Sequence, residues 1–193
     1  MKSIAVFCAS RVGNDQVYRE VAAAVGKLLA EKNIRIVYGG GRVGLMGAVA
    51  DAAIAAGGEV VGVIPHFLDE LEVAHKGLSE LMMVESMHER KMKMSELSEA
   101  VLTLPGGFGT LEELTEMLTW SQLALHRKPI GILNVNGYYD PMEQLFDNML
   151  EKGFMSDEVR KIAIFDADPE SLLEKMGQFD FAHLKHWLDR KKT

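Results

Sequence analysis

Residues 3–8 are apolar from Ile4 onward and give way to the polar stretch 10–15, which predicts a buried strand feeding a loop. From Gln16 the period changes. Val17, Val21, Val25, Leu28 and Leu29 recur at three- and four-residue spacing, predicting one buried helix face as far as about Lys32. The alternation then repeats: residues 34–38 read as a strand, 39–41 as a turn, 45–56 as an alanine-rich helix closed by Gly57 and Gly58, and 59–64 as a third strand stopping at Pro65. Between 65 and 80 no period survives, and a connection of that length is more often functional than idle, so it is expected to line a site. A short strand at 81–84, a polar helix at 87–97 and a strand at 100–104 follow. Beyond them the pattern predicts a helix at 111–125, a strand at 129–133, a helix at 141–151, a strand at 162–165 and a helix entered through Asp168 and Pro169. From 178 onward an aromatic-bearing helix and a loose tail fit equally.

Strands alternating with helices predict an α/β fold: one doubly wound, mainly parallel sheet with right-handed crossovers and helices on both faces. No repeat, low-complexity segment or linker divides the chain, so residues 1–193 are read as a single domain with a peripheral tail. Ligands of such sheets bind beyond the carboxyl ends of the strands.

Composition narrows the partners. With 193 residues, 48% of them hydrophobic, the chain can bury a full core. A net charge of −7 repels polyanions, and the one basic cluster is the short run 185–192, so nucleic acid is not an expected partner. The single cysteine, Cys8, cannot form an internal disulfide and suits a small buried hydrophobe; a reducing cytoplasm is the expected location. Neither a signal-peptide pattern nor an apolar run of the ~20 residues that span a bilayer is found, so no membrane association is expected.

Three strand ends carry unusual chemistry: 8–13, 39–47 and 105–110. Glycine lets backbone approach an anion closely, and the helix that follows offers unpaired N–H groups with partial positive charge. The stretch Gly39-Gly40-Gly41-Arg42-Val43-Gly44 departs from the dinucleotide fingerprint and lacks the Walker lysine. By itself it reads equally as a tight turn in which glycines serve packing. Pro105-Gly106-Gly107-Phe108-Gly109-Thr110-Leu111-Glu112-Glu113 is the sharper signal, joining an apolar strand to a helix entry. Thr110 with Glu113 three residues later also spells a capping box, and spacing leaves capping and ligand contact both open.

This stretch resembles the P-G-G-x-G-T-x-x-E hallmark of the LOG family, the cytokinin riboside 5′-monophosphate phosphoribohydrolases. The resemblance extends through Tyr38-Gly39-Gly40-Gly41 with Gly44-Leu45-Met46-Gly47, and through Ser86-Met87-His88-Glu89-Arg90-Lys91, and it covers roughly 3–165. It implies a Rossmann-like fold, a homodimer, and hydrolysis of the N-glycosidic bond of N6-substituted adenosine 5′-monophosphates to free base and ribose 5-phosphate. Residue by residue it implies catalytic roles for Arg90 and Glu113, a substrate-binding Lys91 beside the arginine, and a phosphate-binding turn of Gly107, Phe108, Gly109, Thr110, Leu111 and Glu112. Glu72 and Thr119 match further substrate-contacting positions, and Ser10, Gly40, Gly41, Gly44 and Met46 are candidate additional nucleotide contacts. In the first loop Cys8-Ala9-Ser10-Arg11 stands where the family more often has C-G-S-S. Some relatives carry a lysine decarboxylase label, but no lysine here sits in a motif suggesting a Schiff base, and no cofactor is expected. His66, His75, His88 and His126 lack mutual zinc spacing, so a metal-independent reaction is expected.

Cleaving a ribosyl C–N bond passes through an oxocarbenium-like transition state that calls for nearby negative charge and a positioned water. Glu113 suits both tasks, and Arg90 suits orienting the ligand and aiding departure of the base. The bland readings differ. Arg90 and Lys91 on a helix with four-residue pairs fit an ordinary solvated face, Glu72 fits surface charge, and Thr119 fits a helix residue bonding its own preceding turn. Met82, Met83, Met87, Met92 and Met94 fit packing, or for some of them the border of an apolar base pocket. A noncatalytic nucleotide-binding or signalling module is the alternative to the hydrolase; a nicotinamide-dependent oxidoreductase is disfavoured because the first turn lacks G-x-G-x-x-G.

Overall fold

The computed structural model describes residues 1–68 and 74–184, with the side chains of His183 and Leu184 left aside. The elements run β1 (Ser3–Phe7), α1 (Gln16–Glu31), β2 (Arg35–Tyr38), α2 (Gly44–Ala55), β3 (Val60–Pro65), β4 (Glu80–Val84), α3 (Met87–Glu96), β5 (Ala100–Thr103), α4 (Phe108–Gln122), β6 (Ile130–Leu133), α5 (Asp140–Glu151), the single turn α6 (Asp157–Arg160), β7 (Ala163–Asp166) and α7 (Pro169–Gln178). Short 3-10 turns lie at Val135–Gly137 and Phe181–Leu184.

The strands form one seven-stranded sheet in the order β4-β3-β2-β1-β5-β6-β7, every pairing parallel. The central strands are buried on both faces, which is why they read as continuous apolar runs rather than alternating ones. Their alternate side chains feed two cores. Ile4, Val6, Ile36, Leu102 and Leu104 pack with α1, α2 and α7 on one face. Ala5, Phe7, Val37, Val61 and Val101 pack beneath Met94 of α3, Leu114 and Met117 of α4 and Phe146 of α5 on the other. Gly26 lets α1 meet α2 closely, since a Cβ there would stand 2.2 Å from the Val49 carbonyl oxygen.

The doubly wound, Rossmann-like sheet is thus as the alternation predicted, with two corrections that bear on the site. The fourth helix begins at Phe108, not near Leu111: Gly107 takes the N-cap position in an extended conformation (φ −94°, ψ −154°) and Thr110 falls inside the first turn. The Thr110 and Glu113 capping box therefore does not form. In α3, Arg90 and Lys91 are buried, at 5% and 6% exposure, so the solvated-face reading of this helix fails. The predicted element 141–151 gains Asp140, and α6 was not foreseen because one turn is too short to show a period. Asp168 caps α7 as predicted, its carboxylate accepting from the Ser171 N–H at 2.8 Å. Glu72 and the basic run 185–192 lie outside the described residues. Among the described residues no helix is long and apolar enough to cross a membrane.

Candidate active site

Strand order reverses at β1: β2, β3 and β4 lie to one side, β5, β6 and β7 to the other. At such a switch point the loops leaving neighbouring strands splay apart and open a crevice at the carboxyl edge. A cavity of about 560 Å³ lies there, lined by Cys8, Ser10 and Arg11 after β1, Gly39 and Met46 around the β2 turn, Phe67 and Leu68 after β3, Met87 and Arg90 of α3, and Gly107, Phe108, Gly109, Thr110 and Glu113 at the start of α4. All three glycine-bearing strand ends converge on it.

The two glycine turns are not equivalent. At α2 the N–H groups of Leu45 and Met46 both point to the Ala9 carbonyl, at 3.0 and 3.3 Å, so that helix entry is occupied by the protein's own backbone. Gly44 holds φ +64° against Ser10, where a Cβ would approach the backbone to 2.2 Å, and Gly40 holds φ +79° against Ile64. Gly41 bridges to Ala74. The packing reading of 39–44 is thus sufficient for Gly40 and Gly44, and none of Gly40, Gly41 and Gly44 is among the residues lining the cavity. At α4 the first helical bond runs from the Leu111 N–H to the Gly107 carbonyl at 3.0 Å. Among the described residues, nothing takes the N–H groups of Gly107, Phe108, Gly109 and Thr110, and no side chain caps them. Of the two helix mouths, this is the one whose amides are left open to an anion.

Arg90 is brought in from α3. Ser86 caps this helix by accepting from the Glu89 N–H at 3.1 Å, and one turn later Arg90 points inward beneath the sheet edge. Its Nε donates to the Val63 carbonyl at 3.1 Å and Nη2 to the Gly39 carbonyl at 2.9 Å, while Nη1 lies 3.7 Å from the Met87 sulfur. Gly39 is obligatory for this: a Cβ there would stand 1.9 Å from Arg90 Nη2. Two carbonyls thus fix the orientation of this buried guanidinium. The Cys8 thiol lies in the field of the site: burial pushes it up, the Glu113 carboxylate pushes it further, and Arg90 pulls it partly back. Cys8 therefore stays a neutral thiol, unsuited to act as a nucleophile.

Lys91, Leu111, Glu112 and Thr119 do not line the cavity. Lys91 Nζ bonds the Glu112 carboxylate and lies 3.0 Å from Glu116 Oε2. Burial works to lower its pKa, but the bonds to both carboxylates outweigh it, and the ammonium is held above its ordinary value. Thr119 donates to the Thr115 carbonyl at 2.7 Å, as the helix reading expected. Phe67 and Leu68 fall in the 65–80 connection expected to line a site, and Met87 is one of the methionines placed near a base pocket. Gly39 stands in a motif without a role of its own, its signal being the run Tyr38-Gly39-Gly40-Gly41, since a small residue is needed where an arginine crosses the chain, and the pattern gives Arg11 no role.

Residues 46–176 match the family model described as "possible lysine decarboxylase". The chain is 46% identical over 180 residues to the probable cytokinin riboside 5′-monophosphate phosphoribohydrolase LOGL1 of Oryza sativa subsp. japonica, covering 93% of this chain and 81% of that one. It is 42% identical over 184 residues to the cytokinin riboside 5′-monophosphate phosphoribohydrolase LOG1 of Arabidopsis thaliana, covering 95% and 86%. Among solved structures it resembles the molybdenum cofactor binding protein of Rippkaea orientalis, at TM-score 0.69 and 19% identity over 92% of this chain and 96% of that one. The Moco carrier protein of Chlamydomonas reinhardtii gives TM-score 0.69 and 20% identity over 91% and 95%. At such identity these two show the fold alone. The decarboxylase description implies pyridoxal phosphate, and the residues do not fit it. No lysine is among the residues lining the cavity, and the buried Lys91 is a salt-bridged ammonium rather than the neutral amine a Schiff base needs. With its hallmark turn and most of its length matched, the chain belongs to the LOG family of phosphoribohydrolases.

Proposed function

We propose that this protein hydrolyses the N-glycosidic bond of a nucleoside 5′-monophosphate, an N6-substituted adenosine monophosphate of the cytokinin type or AMP, releasing the free base and ribose 5-phosphate. The observation that carries the reading is the α4 mouth, whose amides are left without partners among the described residues, opening on the same cavity as Arg90 and Glu113. The 5′-phosphate rests on the N–H groups of Gly107 to Thr110, giving binding energy remote from the bond that breaks. Glu113, on the next turn of that helix, faces the ribose, offsets the positive charge that builds on it and orients the attacking water; the water oxygen bonds C1′ as the C–N bond breaks, the base leaves with that electron pair, and the proton lost by the water ends on the base. Arg90 assists departure by hydrogen bonding and charge, not by giving up a proton. Phe67, Leu68, Met46 and Met87 offer the base an apolar wall. The chain acts as a homodimer, and a second copy is how the exposed Glu112 and Thr119, which lie outside the cavity of their own chain, reach a substrate.

Incubation of the pure protein with N6-isopentenyladenosine monophosphate and with AMP tests this directly, with base and ribose 5-phosphate followed by chromatography. Both products are expected from at least one substrate. Glu113→Gln is expected to remove turnover by a factor of at least ~1000, the loss of one transition-state charge partner, while the melting temperature stays near that of the parent. Nucleotide-induced thermal stabilisation with no base released would instead favour a noncatalytic nucleotide-binding module. Light scattering at a mass twice that of the chain checks the dimer.

A further inference from the structure

The backbone leading into the anion-binding turn is held from outside the cavity by two tyrosines. Tyr139 Oη donates to the Leu104 carbonyl at 2.8 Å, and Tyr138 Oη donates to the Gly106 carbonyl at 2.5 Å. Between them, the Pro105 carbonyl accepts from the Ala9 N–H at 3.2 Å, and the Gly107 carbonyl accepts the first helical bond of α4. Four successive carbonyls are therefore tied down, while Gly107 to Thr110, whose N–H groups have no partner among the described residues, line the cavity. Neither tyrosine lines that cavity.

The peptide unit links these facts. All peptide bonds described are trans, so the Gly106 carbonyl and the Gly107 N–H lie in one plane and point in opposite directions. A hydroxyl that fixes the carbonyl fixes the direction of the amide. Without such a hold this unit would be free to turn, because Gly107 has no Cβ and an added one would meet nothing within 4 Å. We infer that Tyr138, supported by Tyr139, is a positioning residue for phosphate binding: its hydroxyl holds the Gly106–Gly107 peptide with the N–H aimed at the 5′-phosphate. This rests on the phosphate-binding reading of the turn.

The tyrosines are themselves well fixed. Asn134 at the end of β6 accepts from the Tyr139 N–H at 2.8 Å and donates to Asp140 at 2.6 Å, and Asn136 and Gly137 turn the chain at φ 50° and 71°. The Tyr138 ring meets Tyr139 edge-on at 4.9 Å and Tyr18 of α1 at 5.8 Å. Sheet, α1 and α5 thus all bear on one peptide plane.

Tyr138→Phe removes only the hydroxyl from a ring that is 41% exposed. The expected result is a KM for the nucleotide raised about tenfold with kcat within about threefold, because the phosphate is held alike in ground and transition states. Affinity for inorganic phosphate and for ribose 5-phosphate, read by calorimetry, is expected to fall by the same tenfold factor. A merely structural hydroxyl would lower the melting temperature and leave those affinities in place. Unchanged phosphate affinity in a folded variant, or a fall in kcat at constant KM, overturns the inference. Wild-type protein that binds neither phosphate nor ribose 5-phosphate overturns the reading of the turn itself, a separate outcome. Should Tyr138→Phe not fold, Tyr139→Phe is measured with the same ligands, and phosphate affinity within twofold of wild type counts against the assignment.

Discussion

A methyl group added at Gly106 would stand 2.1 Å from the Thr110 hydroxyl oxygen, whereas one added at Gly107 or Gly109 meets nothing within 4 Å. The first glycine is thus required by packing and the other two are not, although all three look alike in the sequence. Open space beside a glycine that no neighbour needs is what a ligand approaching the backbone requires. Gly106→Ala is expected to cost about 1–3 kcal/mol through overpacking, read as a lower urea midpoint. Gly109→Ala, inside the first turn of α4, is expected to hold or raise stability, since alanine replaces glycine in a helix at a gain of up to about 1 kcal/mol. Its KM for the nucleotide should nevertheless rise, because the methyl group occupies the phosphate's approach. A Gly109→Ala enzyme with unchanged KM would remove the turn from the binding site.

Two helices in this fold begin near the same local signal and resolve it differently. Ser86-Met87-His88-Glu89 does cap α3, with Ser86 accepting the Glu89 N–H and the Glu89 carboxylate accepting the Glu85 N–H at 2.8 Å. Thr110-Leu111-Glu112-Glu113 does not cap α4, because Gly107 starts that helix one turn earlier and no side chain caps its amides. The two helices are tied to each other by Lys91, buried between Glu112 and Glu116 of α4. Its raised pKa means that this tie is present below the ordinary lysine value of 10.5 and is lost as pH rises through the folded-state value. Lys91→Met leaves Glu116, whose side chain is only 24% exposed, without its cation. We expect a loss of about 1–3 kcal/mol in urea unfolding at pH 8. A change below ~0.5 kcal/mol would mean that the pair contributes nothing to holding α3 on α4.

For the whole molecule, two groups far from the site contribute to acid stability. His126, between α4 and β6, donates from Nε2 to the Met117 carbonyl at 3.1 Å and accepts the Lys128 N–H on Nδ1 at 3.2 Å, so both ring nitrogens are committed in the neutral form. Burial chiefly, then the charge of Lys128, holds its pKa down to about 4 from 6.5, against the opposing pull of the Met117 carbonyl. The unfolded chain binds this proton first on acidification, so stability is full above pH 6.5 and falls as pH drops toward 4. Asp166 acts in a separate window. Its burial opposes ionisation, but Lys175, the Ser171 hydroxyl and the Asp168 N–H outweigh it and hold the pKa down to about 2, so its contribution is lost only as pH falls from 3.8 toward 2. Melting temperature against pH is therefore expected to decline in two steps, and His126→Gln should flatten the first and leave the second. A single step below pH 4 in the parent protein would exclude the histidine's part.

The βα alternation, the parallel sheet and the chemistry of 105–113 were written in the sequence, because burial on two faces and positive-φ or close-approach turns restrict which residues can stand there. Local pattern could not say which glycine turn keeps its helix-entry amides open. That depends on Ala9, far away in the chain, spending its carbonyl on the entry of α2 and not on that of α4. Nor could it show that Arg90 is buried, since its fixing partners are carbonyls of Val63 and Gly39, 27 and 51 residues distant. Tyr138 and Tyr139 lay in a stretch with no motif of their own. Contacts between remote segments depend on strand order, and strand order is settled by the packing of the folded sheet as a whole.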